Sequence, residues 1–273
     1  SAQTSSPMPE IPQAFEPSQP RFYIKRVPPT LTRILIGINV AVFLIMTLYG
    51  FMLYQTWNGT MITDVLIRFG AKEVYSIYVL GEYWRLFTAM FIHIGPMHLA
   101  FNLYALYALG PMVEGYYGHW RFLAIYVIAG LSGSLASYAF SPAPSAGASG
   151  AIFGLAGAII VYFLKYRENF GAQGKAILQN MLFIIVINMV FGLSVGNIDN
   201  WGHLGGLIGG ALVAWGLLPR YSAPAVVRMG AQPIAEENRR LIEFLWVSVV
   251  VGLLVAGIYL ANMYLIPRMF AGA

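Results

Sequence analysis

Cysteine is absent from the 273 residues. That excludes disulfides, zinc–thiolate sites, iron–sulfur clusters and a cysteine nucleophile. Charge is also scarce: Asp, Glu, Lys and Arg together supply 10% of the chain, where a soluble domain carries about 25%. Polar surface is too small to cover a water-soluble globule of this size. A cytosolic enzyme and an intrinsically disordered chain are both excluded. What the chain has instead is apolar sequence, 58% of the total. The net charge of +5 then reads as the loop charge of a membrane protein rather than as a nucleic-acid footprint.

Seven runs approach the roughly 20 apolar residues that cross a bilayer as a helix. They cover residues 31–54, 97–113, 120–140, 149–165, 176–195, 201–218 and 241–266. The second, fourth and sixth are short and rich in Gly, Ala or polar residues, so they read as inner helices wrapped by the others. The fold expected is all-α: a polytopic membrane bundle with a six-span core and a seventh, C-terminal span. Loop charge sets its orientation. With the N-terminus cytoplasmic, the inside segments hold twelve basic residues and the outside segments hold Arg68, Lys72, Arg85 and Arg268. That asymmetry favours N-in and C-out.

Around these spans lie three other segments. Residues 1–29 hold seven prolines and read as a disordered cytoplasmic tail, with no continuous apolar stretch to make a signal peptide. The core is expected over 30–220, a cytoplasmic linker over 221–240 and the last span within 241–273. Residues 55–91 carry Trp57, Tyr83 and Trp84 and suggest an interfacial element.

A polar side chain within a span is costly and calls for a function. His93, His98 and Asn102 lie at the start of the second run, Ser149 at the start of the fourth and His203 at the start of the sixth. With the N-terminus inside, all three runs begin at the outer face. A serine, a base and further donors are thus drawn to one level. That set suits nucleophilic acyl transfer. Histidine takes the serine proton, and His98, Asn102 and the Ser149 N–H could donate to an oxyanion. No carboxylate lies near this level in the spans, which points to a dyad rather than a triad. Gly150, Gly154 and Gly157 follow the serine, and Gly202, Gly206 and Gly210 surround the histidine. Such spacing lets helix backbones approach closely.

Plainer readings stand beside this one. A lone intramembrane Ser usually bonds to its own backbone, a lone His or Asn more often packs than catalyses, and glycine repeats by themselves indicate only packing. The plainer reading is kept for Asn180, Asn188 and Ser132, and Glu114 reads as a helix-end contact.

The motifs resemble those of rhomboid intramembrane serine proteases. Gly147-Ala148-Ser149-Gly150 resembles that family's GxSG motif, and His93 to Asn102 its HxxxxHxxxN signature. Gly202-His203-Leu204-Gly205-Gly206 resembles its histidine segment, Trp84-Arg85 its WR pair, and Glu114 with Gly118 a further signature. The resemblance implies Ser149 as nucleophile and His203 as general base. His98 and Asn102 would help form the oxyanion hole, His93 would sit at a water-holding rim, and Gly147 would shape the site. Phe153 would pack on the histidine ring where many members carry Tyr. Trp84 and Arg85 would stabilise the external loop. The fifth span and residues 191–201 would gate lateral access. The partners implied are transmembrane protein substrates and lipid, with no nucleic acid, metal or organic cofactor. The location implied is a bacterial plasma membrane. A catalytically inactive relative that binds transmembrane helices is the alternative. A transporter is disfavoured, because the polar set sits at one end and no inverted repeat appears.

Overall fold

The computed structural model describes residues 21–194, 198–222, 224, 226–228 and 230–271. It forms two units. One joins the chain up to Lys25 with Arg220–Glu237; the other comprises Arg26–Pro219 and Asn238–Ala273.

The first unit is a departure from an all-α expectation. Strand β1 (Arg21–Tyr23) pairs in parallel with β3 (Ala231–Pro233), and β2 (Tyr221–Ser222) pairs antiparallel with β4 (Ala235–Glu236). The end of the proline-rich tail and the linker therefore meet as short ladders. Residues 1–20 of the tail lie outside the described residues.

The second unit is helical. Helix α1 (Thr30–Tyr54) is followed by three short helices, α2 (Thr63–Phe69), α3 (Val74–Tyr78) and α4 (Arg85–Thr88). Then come α5 (Gly95–Tyr117), α6 (His119–Phe140), α7 (Ser149–Lys165), α8 (Arg167–Ser194) and α9 (Asn200–Gly216). After the strands, α10 (Arg240–Leu260) runs through a π-helical turn, Ala261–Leu265, into α11 (Ile266–Ala271).

Four helices are long and apolar enough to cross a membrane among the described residues, and five if the bent pair of α4 and its following turn with α5 counts as one. The expected count of six plus one is finer than this. Helices α7 and α9 have 17 residues each, or about 25 Å at 1.5 Å per residue. That is short of a ~30 Å hydrocarbon core, so length alone does not mark them as spans.

The choice of inner helices needs correcting. Helices α7 and α9 are inner, as expected, but their third member is α6 rather than α5. Helix α5 keeps Met97, Phe101, Tyr104 and Tyr107 exposed along one side. Helix α6 buries Gly130, Ser132, Gly133 and Ser137 instead. Small residues decide this. A Cβ on Gly205 of α9 would stand 2.7 Å from the Ser132 carbonyl oxygen, and one on Gly209 2.1 Å from Ser132 Oγ. A Cβ on Gly206 would fall 2.0 Å from the Gly150 carbonyl oxygen, and one on Gly210 2.2 Å from Gly154 Cα. Three backbones are thus in contact with almost no side chain between them.

The region between α1 and α5 packs on this bundle through two apolar clusters. One joins Val74, Ile77 and Leu86 to Tyr138, Ala139, Ala261 and Ile266. The other joins Val65, Leu66 and Ala71 to Met46 and Ile92.

Candidate active site

Helix α7 begins at Ser149, so the serine stands on a first turn whose N–H groups have no intrahelical acceptor. The segment before it is fixed residue by residue. Lys72 and Ser145 exchange both backbone hydrogen bonds at 2.9 Å, and Gly147 N–H donates to the Ala89 carbonyl at 2.9 Å. Ala148 N–H donates to His93 Nε2 at 3.4 Å. Gly147 has φ of +134°, and a Cβ there would stand 2.8 Å from His98 Cε1, 2.9 Å from His98 Nε2 and 3.6 Å from Ser149 Oγ. Backbone conformation and space each require glycine at that position.

His98 enters from the first turn of α5. Its Nδ1 accepts from Ile94 N–H at 3.2 Å. In the neutral ring this assigns the proton to Nε2. That nitrogen is the one nearest the Gly147 position, so His98 turns a donor toward the Ser149 loop. The His93 ring lies edge-on to His98 at 5.4 Å and is fully buried. Asn102 lies one turn below His98. Its Nδ2 donates to the His98 carbonyl at 2.8 Å, and its Oδ1 is buried with no partner among the described residues. In this state the amide is partly spent on its own helix, with one N–H still available.

His203 comes from the first turn of α9. Asp199 caps that helix, accepting from Gly202 N–H at 2.9 Å. A carboxylate therefore does stand one turn before His203, where none was expected. It serves the backbone rather than the ring: His203 Nδ1 is buried with no hydrogen-bond partner among the described residues. The ring is oriented by Phe153, which stacks on it at 4.3 Å with planes 9° apart. Phe153 is one turn after Ser149 and shares its helix face. The α7 face that carries Ser149 and Phe153 is thus the one whose aromatic ring meets His203. Phe140 against Trp201, at 4.8 Å, joins the same end of α6 and α9.

The residues read plainly behave so. Ser132 Oγ donates to Ile128 O at 2.8 Å and Asn188 Nδ2 to Ile184 O at 2.7 Å, each on its own helix. Asn180 is exposed. Glu114 is buried at the opposite end of the bundle and caps α1, accepting from the N–H groups of Leu31 and Thr32 and from Thr32 Oγ1. Arg85 binds the carbonyls of Ile67 and Ala71 and the Glu82 carboxylate, with Trp84 4.7 Å from its guanidinium carbon. That pair therefore binds the loop between α1 and α5. The capping loop falls partly on residues 195–197, outside those described.

Two residues near the site had no motif to flag them. Asp199 could have been found as an N-cap, since it stands one residue before the first residue of a short helix. Lys72 carries only a weak signal, one of several charged residues in the connection between α1 and α5.

The sequence matches the Rhomboid domain family over residues 80–220. It is 47% identical over 196 residues to the rhomboid protease GluP of Bacillus subtilis (strain 168), covering 71% of this chain and 36% of that protein. To the rhomboid protease AarA of Providencia stuartii it is 32% identical over 220 residues, covering 72% of this chain and 75% of AarA. To RHOMBOID-like protein 1 of Arabidopsis thaliana it is 34% identical over 210 residues, covering 74% and 53% respectively. The chain thus spans about a third of GluP and about half of the Arabidopsis relative. The family match covers just over half of the chain and takes in α5 to α9 with every motif quoted from His93 to His203. Its apolar helices are those of an integral membrane protein, and the chain belongs to the rhomboid family.

Proposed function

We propose that this chain is an intramembrane serine endopeptidase that cuts transmembrane segments near the outer face, with Ser149 and His203 as its dyad. The single observation that carries this reading is the stacking of Phe153, one turn after Ser149 on α7, on the His203 ring across the glycine contact of α7 and α9, with a His98 donor facing the Ser149 loop.

The chemistry follows from the groups. Ser149 Oγ attacks the carbonyl carbon of the scissile peptide while His203 Nε2 takes its proton. The carbonyl oxygen becomes an oxyanion. His98 Nε2–H, the free N–H of the Asn102 amide and the Ser149 N–H donate to it, and the α7 dipole adds a favourable field. Collapse breaks the C–N bond, and His203 returns the proton to the leaving nitrogen. Water then hydrolyses the acyl-serine by the same relay. A peptide bond within a helix is shielded by its own hydrogen bonds, so Gly or Pro in the substrate lowers the cost of exposing it. His93 would hold the water this needs.

The same reading takes the six helices α1 and α5 to α9 as the core spans and α10 as the seventh. It places the N-terminus in the cytoplasm, the C-terminus outside and the protein in a bacterial plasma membrane. Residues 1–29 and 221–240 would then lie on the cytoplasmic side, and α8 would gate lateral access.

The test is cleavage of a transmembrane substrate with small residues near the outer end of its span, using the full chain in detergent or liposomes. Cleavage lost in both Ser149→Ala and His203→Ala is the result expected. Cleavage that survives Ser149→Ala would overturn the nucleophile. A folded parent that neither cleaves nor takes a fluorophosphonate on Ser149 would favour an inactive binder of transmembrane helices.

A further inference from the structure

Lysine is almost never fully buried unless paired. Lys72 has none of its surface exposed, and its side chain meets carbonyls instead of a carboxylate. Nζ donates to Ser137 O at 3.4 Å, Ser141 O at 2.9 Å and Ala143 O at 2.6 Å. An ammonium has three donors and no acceptor, so the match is complete. Ser137 belongs to the last turn of α6, where a cation is favoured, and its carbonyl also accepts from Ser141 N–H at 2.8 Å. Ser141 and Ala143 lie in the segment that leads from α6 to Ser149.

Lys72 also holds that segment through its backbone, by the paired bonds to Ser145. The Oγ atoms of Ser145 and Ser137 lie 2.9 Å apart. Two residues on, Gly147 is bound to Ala89, and Ala148 to His93. On its other side Lys72 is anchored in turn, because Arg85 binds the carbonyl of Ala71. One buried cation thus stands behind the whole approach to the serine.

We propose that Lys72 is a positioning residue for Ser149: by tying the last turn of α6 to two carbonyls of the α6–α7 connection it sets the geometry of the nucleophile loop, and so governs turnover without touching substrate. This rests on the protease reading. It deepens that reading by assigning a role to a residue outside the motifs.

A pH signature follows. Burial pushes the Lys72 ammonium down to about 8, while the charges of Asp199 on α9 and of Glu73 beside it pull the other way. Arg85 is the further charge on that side, bound to Ala71 O; α6 offers the Ser137 carbonyl and hydroxyl. Below about pH 8 Lys72 carries three donors and a charge. As pH rises through that value it loses the charge and one donor, and the hold on the loop weakens. Turnover should fall on the alkaline side.

The experiment compares the full-length parent with Lys72→Met, Lys72→Gln and Lys72→Arg in detergent. Each is checked for folding by its melting temperature. Fluorophosphonate labelling of Ser149, kcat and KM are measured from pH 6 to 10. Displacing a reacting group by about 1 Å can cost 100-fold, so labelling and kcat should fall about tenfold or more in Lys72→Met and Lys72→Gln with KM little changed. Lys72→Arg, which stays charged, should keep its activity past pH 8. Parental labelling in folded Lys72→Met, or an alkaline limb unmoved in Lys72→Arg, would overturn the proposal. If Lys72→Met fails to fold, Lys72→Gln and Lys72→Arg carry the same comparison. A parent whose Ser149 is never labelled overturns the protease reading and this one together; a labelled parent with unaffected variants overturns this one alone.

Discussion

Helices α8 and α10 flank the same inner bundle and are each apolar enough to cross a membrane, yet they are held differently. Both expose rows of large apolar residues: Leu182, Phe183, Val186, Val190 and Leu193 on α8, and Leu241, Phe244, Leu245, Leu253 and Val255 on α10. Helix α10 is pinned at both ends. Near its start Glu243, buried, accepts from Arg121 Nε at 3.1 Å and Nη2 at 2.7 Å. One turn on, Trp246 Nε1 donates to Leu212 O at 3.1 Å, and its ring fills the space beside Gly216. At its far end the π-helical turn carries Asn262, which accepts from Tyr138 at 2.6 Å and donates to Tyr83 at 2.7 Å. Helix α8 has lighter ties. Phe170 packs among Tyr116, Tyr162 and Phe163 at its start, the backbone breaks at Gly171, and near its end the Asn200 amide reaches Met189 O at 3.4 Å.

The difference teaches that apolar length gets a helix into the bilayer, and polar ties decide whether it is a wall or a door. In a lipid environment hydrophobicity adds little between helices. A helix held by one long amide contact, as α8 is, moves at smaller cost than one held by a buried ion pair and two amide bonds, as α10 is. Helix α8 is next to the end of α9 that carries His203, where a mobile element would be useful. Helix α10 lies against α6 and α9 and carries the apolar cluster beneath the α1–α5 connection, where rigidity would be.

Four substitutions would break or sharpen this contrast. The largest effect should come from the frame both helices lean on. Gly206→Leu adds a side chain whose first carbon would lie 2.0 Å from the Gly150 carbonyl oxygen, and overpacking of this kind costs about 3 kcal/mol or more. Most folded protein should be lost, read by thermal melting in detergent and by absent fluorophosphonate labelling. Glu243→Leu comes next. It takes the carboxylate from buried Arg121, which keeps its bond to Tyr117 O, and breaking a buried ion pair from one side costs about 3–5 kcal/mol. A melting temperature unchanged in that variant would remove α10 from the list of fixed walls. Asn262→Leu removes two hydrogen bonds at the far end, about 1 kcal/mol each. Its melting temperature should fall by less, and proteolytic nicking should rise between residues 55 and 91. The smallest stability effect belongs to α8: Phe183→Ala should shift stability by less than ~0.5 kcal/mol. If α8 is a gate, the same change alters KM or turnover measurably. A large loss of stability there would end the contrast.

Much of the site was legible in the sequence because its parts are local. Serine at a helix start, histidines five apart before a span and a glycine every fourth residue are patterns within one element. The members of the pattern around His98 are set by one turn of α5. The misreadings came from relations between elements. Helix α5 looked inner because it carries polar residues, but α6 took that place, because Ser132 and Gly133 meet Gly209 and Gly205 on a helix some 75 residues away in sequence. Asp199 was missed because its carboxylate is outside the span and acts on backbone. The tail end was read as disordered on composition, yet Arg21–Tyr23 pairs with Ala231–Pro233, a partner no local pattern announces.

What the sequence determined by itself is the solvent and the candidate groups. Too little charge for water, apolar runs of helical length and a serine and a histidine each at the start of such a run follow from composition and order alone. Tertiary structure decided which helices touch, which outer helix is pinned, and that a lysine between α2 and α3 reaches three carbonyls before Ser149. Those outcomes depend on the distance between backbones. In a bilayer that distance is set by which small residues face each other, and only the assembled bundle determines that.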